Sequence, residues 1–218
     1  MAQPIKALLL DHDGTLVNSE PCQFQIWQGI LQGYGVDYQF SDFIPRIGIP
    51  GEITSAYLVE KYRLPISPAA LAKVKEEQTD IFLQTNAFPL MPGIQTIINW
   101  AKENKIKLAV VSGAERASVV RSLQHHNLLN QLEVVVAGGD VEVSKPAPDC
   151  YLKALSELGI NAEQAVAIED SASGIQSAKA ANLKCFAIQH DFTPAEKLSK
   201  ADKYFSSHHL ILDALKQL

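Results

Sequence analysis

The stretch Ala7-Leu8-Leu9-Leu10-Asp11-His12-Asp13-Gly14-Thr15 decides the fold of this chain. Its four apolar residues, Ala7–Leu10, predict a strand buried on both faces, because a strand with one solvated face alternates apolar and polar residues. Two carboxylates, Asp11 and Asp13, follow directly. Side chains two positions apart on an extended chain point to the same side, so both can reach one ligand. Gly14 allows a sharp turn after them.

Similar apolar runs recur along the chain, and helical patterns separate most of them. Further strands are predicted at Leu108–Val111, Val134–Ala137, Ala165–Ile168, Cys185–Ile188 and Lys203–Phe205, and helices at Gly93–Asn104, Arg116–His126, Asp149–Leu158 and Ser173–Ala181. Strands that alternate with helices predict an α/β fold with a doubly wound, mostly parallel, Rossmann-like sheet.

Residues 18–88 break this alternation. They contain only helical patterns, at Gln23–Leu31, Glu52–Tyr62 and Ala69–Leu83. A block of roughly 70 residues is too long for an ordinary crossover between two strands. We therefore expect an inserted α-helical domain at 18–88 and a core domain made of residues 1–17 and 89–218.

The composition limits the classes of function. The chain has 218 residues, of which 47% are hydrophobic, and a formal net charge of −5. The absence of a cluster of lysines and arginines argues against a nucleic-acid partner. No apolar run approaches the roughly 20 residues of a membrane span, so we expect no membrane partner. Three widely spaced cysteines indicate reduced thiols and a cytoplasmic protein.

Residues able to bind or react with a phosphate follow four of the predicted strands: Asp11 and Asp13 after the first, Ser112 and Gly113 after the second, Lys145 beyond the third, and Glu169 and Asp170 after the fourth. Ligands of open α/β sheets bind beyond the carboxyl ends of the strands. We therefore expect these side chains to meet on one rim of the sheet.

Four carboxylates on one rim would repel one another unless a cation joined them. Oxygen ligands without histidine or cysteine favour Mg²⁺ over Zn²⁺. Ser112, the N–H near Gly113 and the Lys145 ammonium are expected to hold the oxygens of a substrate phosphate. One carboxylate of the Asp11 and Asp13 pair can attack as a nucleophile, and the other can transfer protons.

The ordered motifs Asp11–Leu16, Ser112-Gly113, Lys145-Pro146 and Glu169–Gly174 resemble the four motifs of the haloacid dehalogenase superfamily. The helical insertion is similar to the first type of cap domain in that family. The resembled subgroup holds β-phosphoglucomutase and the sugar-phosphate and phosphoglycolate phosphatases. The resemblance spans nearly the whole chain, with two departures: the entry to the cap begins with Asn18 where aspartate is usual, and Asn182 stands where glycine is common. Asparagine tolerates the left-handed conformation that ends a helix.

The resemblance implies a role for each acidic residue. Asp11 would be the nucleophile that forms an aspartyl phosphate, and Asp13 the general acid and base. Mg²⁺ would be held by Asp11, the carbonyl of Asp13 and Asp170, with Glu169 in support. We therefore expect a Mg²⁺-dependent phosphatase that acts on a small phosphate ester such as a sugar phosphate, for which a monomer suffices.

Two other functions stay open. A phosphosugar mutase of the resembled type has a basic residue at the position of Gln23 and cations in the cap loop, which here reads Ile47–Gly51. A protein that binds phosphate without catalysis would have lost a catalytic position, and none is missing. Glu20 and Arg46 are the candidates in the insertion for substrate recognition.

The histidines are not expected to take part in the chemistry. His12 should point away from the side that Asp11 and Asp13 share. Neighbouring residues on a helix do not face each other, so His208 and His209 are interpreted as surface or partly buried residues and not as a metal site.

Overall fold

Six parallel strands form one sheet in the computed structural model, which describes residues 4–191 and 193–218. The strands are β1 (Ala7–Leu10), β2 (Lys107–Glu115), β3 (Val134–Gly138), β4 (Ala165–Glu169), β5 (Lys184–Ile188) and β6 (Lys203–Phe205). Their order is β3-β2-β1-β4-β5-β6, and each neighbouring pair is parallel. The predicted doubly wound α/β sheet is confirmed, with β1 at its centre.

Strand β1 is covered on both faces, as its uninterrupted apolar sequence predicts. Leu8 and Leu9 point to opposite faces, and both are fully buried. In the register of the sheet, Leu9 lies between Ala109 of β2 and Ala167 of β4. Burial of a leucine side chain contributes about 1.5–3 kcal/mol, so the first strand anchors the sheet from its centre.

Nine α-helices occur in the described part of the chain: α1 (Glu20–Gln32), α2 (Phe40–Phe43), α3 (Gly51–Tyr62), α4 (Pro68–Thr85), α5 (Ile94–Glu103), α6 (Arg116–His125), α7 (Asp149–Leu158), α8 (Ala172–Ala180) and α9 (His208–Leu215). Helices α7 and α8 pack on the sheet through an apolar cluster that includes Tyr151, Leu155 and Ile175. In the ranges described, every helix is too short or too polar to cross a membrane.

Two compact units divide the chain. One combines the residues up to Asn18 with Pro89–Leu218 and contains the sheet. The other, Ser19–Phe88, contains α1 to α4 and has its own core around Trp27 and Tyr38. The helical unit begins one residue after the start that the sequence leads us to expect.

The elements differ from the sequence prediction mainly at β2 and at the C-terminus. Strand β2 continues past Val111 to Glu115, because its pairing with β3 shifts register between those two residues and then resumes. Ser112 and Gly113 therefore lie inside the strand and not in the loop after it. Helix α9 was not predicted. Asn182 adopts the left-handed conformation expected of it, with φ of 60°.

His208, the first residue of α9, is fully buried and not partly exposed as expected. Its Nε2 lies 2.8 Å from the carbonyl oxygen of Thr15, in the loop after β1. Burial lowers the pKa of His208 to about 4, so the ring is neutral at physiological pH and donates its Nε2–H to that carbonyl. The contact joins the C-terminal helix to the loop after the central strand.

The folded state should lose stability as this histidine is forced to take up a proton. Its folded pKa of about 4 lies below the ordinary value of 6.5, so its contribution is complete above pH 6.5 and is lost as the pH falls toward 4. Acidification from about pH 7.5 to about pH 5 should cost about 2 kcal/mol of unfolding free energy through this residue alone.

Urea unfolding of the wild type and His208→Gln at both pH values measures this contribution, because glutamine can donate to Thr15 but does not titrate. The variant should lose about 2 kcal/mol less than the wild type on acidification. An identical loss in both proteins would show that His208 is not the responsible group.

Candidate active site

Three acidic side chains meet at the carboxyl ends of β1 and β4. Asp11 directly follows β1, Glu169 is the last residue of β4, and Asp170 comes next. The register pairs Leu10 with Ile168, and the Asp11 N–H donates to the carbonyl of Ile168 at 2.9 Å. Adjacent parallel strands thus bring together, at their carboxyl ends, acids that are about 160 positions apart in sequence.

The three carboxylates form a buried cluster. One oxygen from each of Asp11, Glu169 and Asp170 lies within 4.8 Å of the other two, and all three residues are buried. Burial raises the pKa of the Asp11 carboxyl well above its ordinary value, and Glu169 and Asp170 add to that rise. Burial likewise raises the pKa of Asp170. The cluster therefore needs positive charge to stay ionised.

Lys145 supplies part of that charge. Its ammonium lies 2.6 Å from Oδ1 of Asp11, 2.6 Å from Oε1 of Glu169 and 2.9 Å from the carbonyl oxygen of Val111. Burial alone would lower the pKa of Lys145, but the two carboxylates outweigh burial and raise it. Each of the three ammonium hydrogens has an acceptor in the protein. Lys145 can therefore contact a phosphate directly only if a phosphate oxygen replaces one of these acceptors.

Tyr151 completes the surroundings of Glu169, and its only signal in the sequence is an aromatic residue on an apolar helix face. Its hydroxyl donates to Oε1 of Glu169 at 2.7 Å, and the Lys145 ammonium lies 5.2 Å from its ring centroid. Burial raises the pKa of Tyr151 well above its ordinary value, so the phenol keeps the hydrogen that it donates.

His190 is a second residue that sequence reasoning missed. Its Nε2 lies 2.8 Å from the carbonyl oxygen of Gly14 and 3.5 Å from Oδ2 of Asp170. Burial alone would lower the pKa of His190, but the interaction with Asp170 outweighs burial and raises it. The ring thus contacts the acidic cluster through Asp170, and the three side chains of the cluster offer only carboxylate oxygens as ligands.

The cluster fits a divalent cation. The three carboxylates carry more negative charge than the Lys145 ammonium and the His190 ring together can balance. Hard oxygen donors from carboxylates and carbonyls are the ligands that Mg²⁺, Ca²⁺ and Mn²⁺ prefer. The geometry brings Asp11, Glu169 and Asp170 together in an acidic cluster that could hold a divalent metal.

Asp13 differs from the other acidic residues. Its side chain is 31% exposed, and its Oδ2 lies 3.1 Å from Nδ1 of His12. The His12 ring is buried, and its Nε2 lies 3.0 Å from Oγ of Ser122 on α6. The expectation that His12 points away from the reactive side is therefore wrong in one respect, since the ring reaches back to the Asp13 carboxylate.

Ser112 and Gly113, two of the three residues expected to hold a phosphate, lie in the second half of β2. Ser112 is buried, and its Oγ accepts a hydrogen bond from the Ala114 N–H at 3.0 Å. Gly113 is exposed, so a ligand can approach its backbone N–H.

Glu20 and Arg46 belong to the helical unit. Glu20 lies buried in the first turn of α1. The Arg46 guanidinium lies over the ring of Tyr57, 4.3 Å from its centroid, an arrangement that holds the cation in place through the negative face of the ring.

Two glycines leave room for the acidic cluster. Gly14 has φ of +74°, and a Cβ there would overlap with the carboxylate of Asp170. A Cβ on Gly174, in the first turn of α8, would overlap with both carboxylate oxygens of Glu169. The Ser171 hydroxyl caps the same helix by accepting from the Gly174 N–H at 3.1 Å. Glycine is thus a packing requirement at both motif positions.

Gly174→Ala should displace Glu169 from Lys145 and Tyr151 and lower the unfolding free energy by about 1–3 kcal/mol, the cost of disturbing a buried polar group. Gly29→Ala in α1 is the matched control, because a Cβ there meets nothing within 4 Å. It should raise stability by up to about 1 kcal/mol through helix propensity. Urea unfolding compares the two, and equal stability would refute the packing argument.

Comparison with known proteins agrees with this arrangement. The sequence profile of the haloacid dehalogenase-like hydrolase family matches residues 8–188. Fructose-1-phosphate phosphatase YqaB of Escherichia coli (strain K12) is 31% identical over 183 residues, which cover 84% of this chain and 96% of that protein. The phosphorylated carbohydrates phosphatase of Thermotoga maritima is 28% identical over 200 residues, which cover 90% of this chain and 91% of that one.

A solved structure is similar over the same extent. It is a mutant of CbbY from Rhodobacter sphaeroides in complex with xylulose-(1,5)bisphosphate, with a TM-score of 0.81 and 29% identity. The similarity covers 94% of this chain and 95% of that one. Since the matched residues include the central strands and the whole acidic cluster, the chain belongs to the haloacid dehalogenase-like hydrolase family.

Proposed function

We propose that the protein is a Mg²⁺-dependent phosphatase that hydrolyses a small sugar phosphate through an aspartyl phosphate on Asp11. One observation carries this proposal: the buried Asp11 carboxylate lies at the end of the central strand, 2.6 Å from the Lys145 ammonium and inside the acidic cluster. A carboxylate held in this way is oriented for attack and cannot drift into solvent.

Asp11 and Asp13 divide the reaction between them. A carboxylate oxygen of Asp11 bonds to phosphorus while the bond from phosphorus to the ester oxygen breaks, and Asp13 gives its proton to that leaving oxygen. Asp13 then takes a proton from water, whose oxygen bonds to phosphorus. The bond between phosphorus and Asp11 breaks, inorganic phosphate leaves, and both carboxyl groups return to their starting state.

The metal ligands in this proposal are Asp11, the carbonyl of Asp13 and Asp170, with Glu169 in support. Bound Mg²⁺ would neutralise the excess negative charge of the cluster and draw in an oxygen of the substrate phosphate. The fit of the all-oxygen cluster to a hard cation supports this assignment.

Ser112, Gly113 and Lys145 hold the phosphate in this scheme. The N–H groups at the end of β2 and the Ser112 hydroxyl donate to phosphate oxygens. Lys145 contributes its positive charge at short range and exchanges one of its acceptors for a phosphate oxygen as the substrate binds.

Substrate selection is assigned to the helical unit, with Glu20 and Arg46 as its recognition residues. The relatives named fructose-1-phosphate phosphatase and phosphorylated carbohydrates phosphatase support a sugar phosphate as the substrate class. The three cysteines of the chain are free, which supports a location in the reducing cytoplasm.

The mutase alternative is less well supported. Gln23 replaces the basic residue of the resembled mutases, yet the Lys75 ammonium donates to its side-chain oxygen and brings a positive charge to that position. Lys75 is also held by the Thr79 hydroxyl at 2.8 Å. Relatives named as phosphatases favour hydrolysis. Sugar-phosphate isomerisation faster than phosphate release would reverse this choice.

Asp11→Asn tests the nucleophile. Phosphate release from a panel of sugar phosphates should fall at least about a thousandfold, since removal of a nucleophile costs several kcal/mol of transition-state stabilisation. Asp213→Asn, at an exposed position of α9, is the control and should keep wild-type turnover. Full Mg²⁺-dependent activity in Asp11→Asn would overturn the mechanism.

Mg²⁺ binding should also be visible without turnover. At a free Mg²⁺ concentration about one hundred times the Kd, the unfolding free energy should rise by about 2.7 kcal/mol over metal-free protein. Asp170→Asn should lose most of this rise, because it removes one ligand and one charge. Urea unfolding after chelation and after Mg²⁺ addition measures the difference, and an equal rise in both proteins would place the metal elsewhere.

A further inference from the structure

His12 stands between the two reactive carboxylates in sequence but has no part in the mechanism described above. Its ring is 1% exposed and bridges two polar groups: Nδ1 lies 3.1 Å from Oδ2 of Asp13, and Nε2 lies 3.0 Å from Oγ of Ser122. Ser122 is itself fully buried on α6, 110 positions away in sequence. A buried polar chain of this kind is costly unless each member is satisfied, so its geometry is strongly constrained.

The chemistry of the groups fixes the direction of the hydrogen bond to Asp13. An ionised Asp13 carboxylate can only accept, so a hydrogen on Nδ1 of the His12 ring points to Oδ2. The Ser122 hydroxyl can either donate to Nε2 or accept from it. Ser122 thereby holds the orientation of the His12 ring, and His12 holds one oxygen of Asp13.

We propose that His12, oriented by Ser122, positions the Asp13 carboxyl group for proton transfer to the leaving oxygen. This inference rests on the proposed phosphatase function. His12 is a positioning residue, since it acts through Asp13 and needs no contact with substrate. With Oδ2 occupied by the Nδ1–H, the proton that Asp13 transfers is carried on Oδ1.

Asp13 needs such a support more than Asp11 does. The Asp11 carboxylate is buried and held by Lys145, whereas the Asp13 side chain is 31% exposed and has more room to change its orientation. A proton donor displaced by about 1 Å loses a large part of its effect on the rate. A hydrogen bond from a buried and immobile ring removes that freedom.

The dependence on the leaving group separates this role from a merely structural one. A nitrophenolate leaves without help, whereas the more basic phenolate needs a proton from Asp13 as its bond to phosphorus breaks. His12→Leu, which removes both hydrogen bonds, should lower kcat/KM for phenyl phosphate about ten- to a hundredfold more than for 4-nitrophenyl phosphate.

Two polar variants serve as matched controls for His12→Leu. In His12→Asn the amide nitrogen takes the place of Nδ1 and can still donate to Asp13, so the wild-type ratio of the two kcat/KM values should largely return. In His12→Gln the amide nitrogen takes the place of Nε2 and reaches toward Ser122, so the ratio should stay perturbed. Ser122→Ala should perturb the ratio in the same direction and to a smaller extent than His12→Leu.

Equal losses for both substrates in His12→Leu, or the same ratio in the Asn and Gln variants, would overturn the positioning role. These outcomes leave the proposed function intact if Asp11→Asn is inactive in the same assays. A wild type without Mg²⁺-dependent phosphate release would instead refute the proposed function and this inference with it. Urea unfolding of the Asn and Gln variants shows that the compared proteins are folded.

Discussion

The ion pairs of Lys145 with Asp11 and Glu169 are the interactions on which the rest of the site depends. Two carboxylates from neighbouring strands share one buried ammonium, each at 2.6 Å. Without it, both would be buried charges with no counter-charge, which costs several kcal/mol each. With it, the cluster still has an excess of negative charge once Asp170 is counted. The fold thus assembles a site that is stable enough to form but keeps an excess of negative charge, and this excess suits it to a divalent cation.

The same constraint explains residues that carry no reactive group. A buried carboxylate fixed by a short ion pair cannot move aside, so the backbone near it must leave space. Gly14 leaves space for Asp170, and Gly174 leaves space for Glu169. Tyr151 fills the other side of Glu169 and donates to it. The conspicuous glycines of these motifs are therefore consequences of carboxylate packing as much as of turn geometry, and the metal and phosphate chemistry depends on them indirectly.

The sequence predicts the sheet and the acidic cluster well because both follow from local patterns. Continuous apolar runs mark the strands. The residues that follow parallel strands lie at the same edge of the sheet, whatever the length and sequence of the loops. The missed contacts join positions that are distant in the chain. His12 meets Ser122 across 110 positions, and His208 meets Thr15 across 193. Neither pair has a periodicity or a motif of its own. The extension of β2 was missed for a related reason, since it depends on a register shift against β3 and not on the residues of β2 alone.

Asp11 and Asp13, two positions apart, have different surroundings, and this difference supports the roles proposed for them. Asp11 is buried beside an ammonium, where it is shielded from water and fixed in orientation. Asp13 is partly exposed and is held through Oδ2 by His12, and this exposure suits a group that exchanges protons with water and with a leaving group. A nucleophile needs the first environment and a proton carrier the second. Environment separates the functions of otherwise identical groups, and the buried histidine between them contributes to the separation through its contact with the second carboxylate.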